Sequence, residues 1–241
     1  MTRFQVIIRG RNCKKYLSAC LKSLIKQSYE NWIVTVILDA PTDGSEKTAY
    51  KYTDKRIRVH VNKKHTGVAA NLWNGIMLAA PEVEDVIAIL DADDELYENA
   101  LKTVAKVYDK GKVLATYGSY YRPDLKRRTK ISKPYDKKKS VRKQPWRGSH
   151  LKTFKARLIQ YLPKEYLKDS KGKWYMASSD IALMIPILEL AGLDRTKHVH
   201  KCIYKWRMTP GAIYKNKAGK KLQLKNKREI MAKKPLKRVE F

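Results

Sequence analysis

The feature that most limits the fold is the alternation, through the first 120 residues, of short apolar runs with apolar residues at helical spacing. Gln5 to Ile8 reads as a strand, and Leu17, Cys20, Leu21, Leu24 and Ile25 then recur at i, i+3, i+4, i+7 and i+8, an amphipathic helix. Ile33 to Leu38 is a continuous apolar strand closed by the turn Ala40-Pro41-Thr42-Asp43-Gly44. Arg56 to Val61 alternates, Val68 to Ala80 is a small-residue helix opened by Gly67 and stopped by Pro81, and Val86 to Leu90 is a fourth strand. Asn99 to Tyr108 reads as helix and Val113 to Tyr117 as a fifth strand. This order is that of βαβ units on a mostly parallel sheet flanked by helices, an α/β, Rossmann-like class. Residues 122–147 form a long Lys-, Arg- and Pro-rich loop. Helical spacing returns over His150 to Tyr161 and Asp180 to Leu190, Val199 to Tyr204 is a short strand, and a basic tail beyond Pro210 is expected to be mobile.

Carboxylates cluster where these strands end. Asp39 follows the second strand, and Asp91, Asp93 and Asp94 follow the fourth. Open α/β sheets bind ligands beyond the carboxyl ends of their strands. Carboxylates this close repel unless a cation compensates them, and Mg²⁺ or Mn²⁺ bridging to a substrate diphosphate is the natural occupant. The alternative is that Asp93, Asp94 and Glu95 cap the next helix, where negative charge is also favoured.

Charge sets a second constraint. The chain carries 53 Lys and Arg against 23 Asp and Glu, a net of +30. Residues 122–171 hold 18 basic and 4 acidic side chains, and residues 215–241 hold 11 and 2, whereas residues 82–109 hold 9 acidic and 2 basic. Lys enrichment from an AT-rich genome should also raise Asn and Phe, yet there are 8 Asn and 3 Phe, so a polyanionic partner is the simpler reason. Cys13, Cys20 and Cys202 form no metal-binding or CxxC spacing and suggest a reducing compartment. Neither a signal peptide nor an 18-residue apolar run is visible, so the expected location is cytoplasmic, in the host cytoplasm if the chain is viral.

Several segments, in order, resemble family 2 glycosyltransferases of the GT-A fold. They are Phe4 to Asn12, Tyr16-Leu17, Leu21 to Leu24, Gln27 to Trp32, Leu38 to Ser45, Gly67 to Asn71 with Gly75, and Leu90-Asp91-Ala92-Asp93-Asp94, which is similar to the family's metal motif. His150 to Lys155, Trp174-Tyr175, Asp180 to Leu183 and Ile203 to Arg207 resemble its acceptor side and closing strand. The resemblance implies a GT-A domain over residues 1–210, with a nucleotide-sugar half (1–120) and an acceptor half (121–210), followed by the tail at 211–241. It implies metal-dependent, inverting transfer from a nucleoside-diphosphate sugar to an acceptor hydroxyl. In that scheme Asp93 and Asp91 hold Mn²⁺ or Mg²⁺, with His200 a candidate to complete the shell. Asp91 also meets the ribose, Asp39 the nucleobase imide, Gly67 and Asn71 the Gly-rich helix contacts, and Asp180 is the base. Asp180 has the alternative of capping its helix.

The sequence also departs from the pattern. Arg9-Gly10 replaces Pro-Thr, altering contacts beside the nucleobase, Leu72-Trp73 replaces Arg-Asn, and Ser179 replaces the Glu before the base. For the acceptor, nucleic acid with a hydroxylated base is placed first, with Tyr117, Tyr120, Tyr121, Tyr135 and Trp146 as stacking candidates. A lipid-linked or surface glycan at an anionic membrane is second, and a solvated basic face with no partner is third. A non-catalytic nucleic-acid-binding module would have no use for acids at strand ends.

Overall fold

The computed structural model describes residues 1–123, 127–129, 132–210 and 215–241. Its strands are β1 (Phe4–Gly10), β2 (Trp32–Leu38), β3 (Ile57–Val61), β4 (Val86–Asp91), β5 (Glu95–Leu96), β6 (Ala115–Arg122), β7 (Arg127–Thr129), β8 (Ser149–Lys155) and β9 (Thr196–Lys205). Its helices are α1 (Lys14–Ile25), α2 (Ser45–Ala49), α3 (Val68–Ala79), α4 (Ala100–Tyr108), α5 (Ser179–Ala191) and α6 (Lys217–Ala232). The strands make one sheet in the order β3-β2-β1-β4-β8-β6-β9-β5, with β7 on β6. The first four run parallel, as βαβ connections require. Beyond β4 the sheet is mixed: β8 is antiparallel to β4 and β6, and β9 is parallel to β6.

Each sheet face has its own core. Leu17, Cys20, Leu21 and Leu24 of α1, all fully buried, pack with α4 on one face. On the other, α3 and α5 cover Ile7, Ile87, Ile89 and Phe154. Gly75 lets α3 lie close, since a Cβ there would stand 2.9 Å from methyls of both Ile37 and Ile7.

Two expectations are corrected here. Residues 149–155 are a strand, with 3₁₀ turns following over Ala156–Tyr161. Leu151 faces one core and Phe154 the other, and a strand covered on both faces has no polar alternation to reveal it. The stretch expected to be a mobile tail instead contains α6, whose Ile230 is buried. After it, Leu236 and Val239 pack on the α5 core and the Val239 N–H donates to Leu190 O (3.0 Å). Among the described residues no helix is long and apolar enough to cross a membrane.

Candidate active site

Strand register builds the site. Ile37 pairs with Arg9, Arg9 with Asp91, and Ile89 with Lys152, which brings His150 level with Asp91 across β2, β1, β4 and β8. Paired residues share a face, here the one covered by α3 and α5. A polar row thus crosses the carboxyl ends of the parallel strands, and Asp180 enters from the first turn of α5.

Asp39, buried just past β2, anchors the loop that leads into α3. Its Oδ1 accepts from Thr66 N (2.8 Å), Thr66 Oγ1 (2.8 Å) and Asn62 Nδ2 (3.0 Å), and its Oδ2 from Gly67 N (2.8 Å). His65 Nδ1 lies 2.7 Å from Oδ2. Burial alone would raise this carboxyl's pKa, but the hydrogen bonds from Asn62, Thr66 and Gly67 outweigh it and hold it below the ordinary value. Gly67 has φ +90°, and a Cβ there would run into Met176 Sδ. Asn71 is buried and braces the same loop, accepting from Asn62 (3.0 Å) and donating to Ile37 O (3.3 Å).

The acidic run does not cap a helix. α4 begins at Ala100 with Asn99 at its N-cap, and β5 intervenes. Each acid has its own environment. Asp91 Oδ1 accepts from Arg9 Nε (2.7 Å), and its Oδ2 is 3.9 Å from His150 Nε2. Burial opposes ionisation of Asp91, but the charges of Arg9 and Lys152 and the hydrogen bond from Arg9 prevail and lower its pKa. Asp94 is spent on structure, its oxygens accepting from Tyr204 Oη (2.7 Å) and Arg207 N (2.7 Å), which fastens the end of β9. Asp93 is half-buried, and burial with the neighbouring Asp91 charge pushes its pKa up to about 6.

Arg9 is turned toward the acidic run. Beyond Asp91 it donates to Ser179 Oγ (2.5 Å) and Val68 O (3.4 Å), tying β4 to α3 and α5. Ser179 therefore has a partner where the family often has Glu. Asp180 is half-buried, accepts no hydrogen bond among the described residues, and faces the charges of Arg9 and Lys152. Capping therefore does not account for it. Lys152, 1 % exposed, has neither a hydrogen bond nor an ion pair among the described residues. Its pKa is lowered by burial despite Asp180 and Asp91.

His150 belongs to this site and His200 does not. Oxygens of Asp91 and Asp94 and a ring nitrogen of His150 lie within 4.8 Å of one another. Burial, then the Lys152 charge, keeps the His150 imidazole neutral, as a metal ligand must be. Its ring lies 4.5 Å from Tyr204 and 5.4 Å from Tyr120, and Tyr120 lies 5.3 Å from Trp206. His200 is not one of the described residues whose ligand atoms gather at the acids, which are Asp91, Asp94 and His150. Its ring lies 4.6 Å from His198 instead.

Gly118 on β6 backs this arrangement. A Cβ would stand 2.9 Å from His150 O and 3.1 Å from Val199 O. Gly118→Val is expected to displace the end of β8 and cost about 1–3 kcal/mol in urea unfolding; an unchanged midpoint would mean that the backbone yields freely.

Of the stacking candidates, Tyr117 and Tyr135 are buried edge-to-face at 5.2 Å and serve the core. Tyr117 Oη accepts from Tyr135 N (2.9 Å). Trp146 packs partly buried on the same core, leaving Tyr120 and Tyr121 half-exposed.

The chain is similar to known glycosyltransferases in sequence and in fold. The chain is 32% identical over 122 residues to glycosyltransferase GlyG of Streptococcus pneumoniae, an alignment covering 49% of this chain and 39% of that protein. It is 28% identical over 115 residues to the UDP-Glc:alpha-D-GlcNAc-diphosphoundecaprenol beta-1,3-glucosyltransferase WfgD of Escherichia coli, covering 48% and 44%. The chain thus aligns with less than half the length of either relative. The structure of S. aureus TarS 1-349 in complex with UDP-GlcNAc superposes with a TM-score of 0.66 at 18% identity, covering 88% of this chain and 60% of that one, a likeness of fold. The fold is the expected GT-A arrangement. The sequence profile of glycosyl transferase family 2 matches residues 5–166, from the first residues of β1 through the acidic run and β8, and by that match the chain belongs to this family.

Proposed function

We propose that the chain transfers a sugar from a nucleoside-diphosphate sugar to an acceptor hydroxyl by single, inverting displacement. The observation that carries this is the polar row Arg9–Asp91–His150 across the strand ends, flanked by Asp39 on one side and Asp180 on the other. The nucleotide would lie over the Asp39 loop, where the exposed His65 is the partner of Asp39 most easily displaced by a nucleobase imide. His65→Ala is therefore expected to leave the fold intact and change the KM for the sugar nucleotide by roughly 3–10-fold, the worth of one charged hydrogen bond. An unchanged KM would remove the base from this edge.

The residues fit a divalent cation. Asp93 carries a carboxylate whose charge is disfavoured by burial and by Asp91 more than Thr209 and Arg9 favour it, and Asp91 lies with the neutral His150 in one cluster with Asp94. Asp93, Asp91 and His150 would hold Mn²⁺ or Mg²⁺, hard enough for oxygen ligands. When bound, the metal supplies charge neutralisation to the leaving diphosphate. Arg9 and Lys152 add fixed positive charge at the same place. Asp180 takes the proton of the acceptor hydroxyl as its oxygen attacks the anomeric carbon, and the nucleoside diphosphate departs.

We take the acceptor to be a lipid-carried glycan in preference to nucleic acid. Burial of Tyr117 and Tyr135 removes two of the residues that an extruded base would need. WfgD, by its name, acts on a diphosphoundecaprenol-linked sugar. The test is nucleoside-diphosphate release from a panel of sugar nucleotides with Mn²⁺, offered lipid-linked sugar, duplex DNA containing a hydroxylated base, or neither. Release stimulated by the lipid-linked sugar supports the reading. Release only with DNA would restore the nucleic-acid acceptor, and no binding of any sugar nucleotide would refute the transfer.

A further inference from the structure

We infer that α6 is a docking helix that seats the chain on the surface of an anionic lipid bilayer, with the turn that carries Asp180 held directly behind it. This rests on the reading of a lipid-carried acceptor but is testable apart from it.

The helix has two faces. Gly219, Asn226 and Ile230 are buried against the protein. The opposite face presents Lys217, Lys221, Leu224 and Arg228, spaced at i, i+4, i+7 and i+11, with Lys220 and Lys225 beside them. Among the described residues none of these cations forms an ion pair. Leu224, 51% exposed, sits among these charges, whereas Leu222, 36% exposed, lies at the edge of the buried face beside Gly219 and Asn226. The one acid of the helix, Glu229, is taken up by Ser170 N (2.5 Å). A helix with exposed cations around an outward leucine suits the headgroup layer of an anionic membrane, where the charges meet lipid phosphates and Leu224 reaches toward the acyl boundary.

Its inner face ties this surface to the chemistry. Asn226 Nδ2 donates to Ala177 O (3.0 Å), and Ser178 Oγ donates to Gln223 O (3.3 Å). Those two residues form the turn that enters α5 at Ser179 and Asp180, with Ser178 in the left-handed region (φ 62°). Whatever α6 rests on is therefore placed close to the acceptor side of the site. Duplex DNA would meet the same cations but would gain nothing from Leu224, so charge together with exposed leucine favours the bilayer.

The test is co-sedimentation of the full chain with phosphatidylcholine vesicles, alone or with about 30 mol % phosphatidylglycerol, alongside binding to a labelled 20-base-pair duplex of order one DNA-site length. Wild type is expected on the anionic vesicles and not on the neutral ones. The triple variant K217E/K221E/R228E should lose on the order of 100-fold in vesicle affinity, and Leu224→Ser several-fold, while Tm and sugar-nucleotide affinity stay as in wild type. Three results would overturn the inference: equal binding to both vesicle types, anionic binding that the triple variant retains, or duplex binding tighter than vesicle binding and abolished by the triple variant but not by Leu224→Ser. Sugar-nucleotide binding is measured on the same samples. Its absence beside intact vesicle binding would refute the transferase reading and leave the docking helix standing.

Discussion

Asp180→Asn is expected to lower the rate of sugar transfer by about 10²–10⁴-fold, the usual contribution of a positioned general base. The substitution changes charge with little change in shape, and no hydrogen bond among the described residues depends on the carboxylate, so the fold and α5 should persist. The loss should fall on kcat, because in the proposed reading the sugar nucleotide lies on the far side of the row, around Asp39 and Asp91. A KM for the sugar nucleotide that stays within roughly twofold, with kcat collapsed, identifies the base by the split between the two constants. A kcat within about threefold of wild type would assign proton removal elsewhere. The residue before Asp180 is Ser179, bonded to Arg9, and it offers no carboxylate to take over.

Asp180, Asp39 and the acidic run were legible because they sit where an apolar strand ends or a helix begins, and those boundaries follow from hydrophobic spacing alone. The helix-cap alternative for Asp93 and Asp94 fell because the sequence does not show β5, a two-residue strand too short to produce any pattern. Lys152 was hidden for a different reason. It is one of 18 basic residues between 122 and 171, and a count of charges does not tell which one turns inward. What turns it inward is its pairing with Ile89, a long-range register that no local window contains. His150 stood in a segment resembling the family's acceptor side but was not seen as level with Asp91, because β8 was read as helix. His200 was a candidate to complete the metal shell, yet its ring lies against His198, outside the cluster of Asp91, Asp94 and His150. The strands and helices of residues 1–120 were legible because α3, β2 and β4 are locally patterned. The resemblance to the family said nothing of residues 211–241, where ten of the cations lie on α6 or after it and the apolar anchors Ile230, Leu236 and Val239 are too sparse to mark a packed segment.

What orders that last segment is a buried ion pair, and its removal should be the most destabilising single change away from the site. Arg142, from a 3₁₀ turn over Val141–Lys143, donates through Nε to Glu189 Oε1 (2.5 Å) and through Nη2 to Glu189 Oε2 (2.9 Å). Its Nη1 also donates to Ile230 O at the end of α6, and Glu189 Oε2 accepts from Leu236 N (3.1 Å). The two side chains are only 6% and 7% exposed, so water cannot replace a lost partner. Arg142→Met leaves the Glu189 carboxylate buried with a single backbone donor and Ile230 O without its guanidinium partner. The expected cost is about 3–5 kcal/mol, or roughly 10 °C in Tm for a chain of this length. The double variant R142M/E189M should recover most of that loss, because apolar side chains of similar volume bury without a stranded charge. Proteolysis gives a second readout: cleavage in residues 233–241 should accelerate in Arg142→Met before the rest of the chain is attacked, since Leu236 and Val239 lose their tether. If Arg142→Met melted within about 1 °C of wild type, the pair would be only a surface contact, and the order of α6 would rest on Ile230 and Asn226 alone.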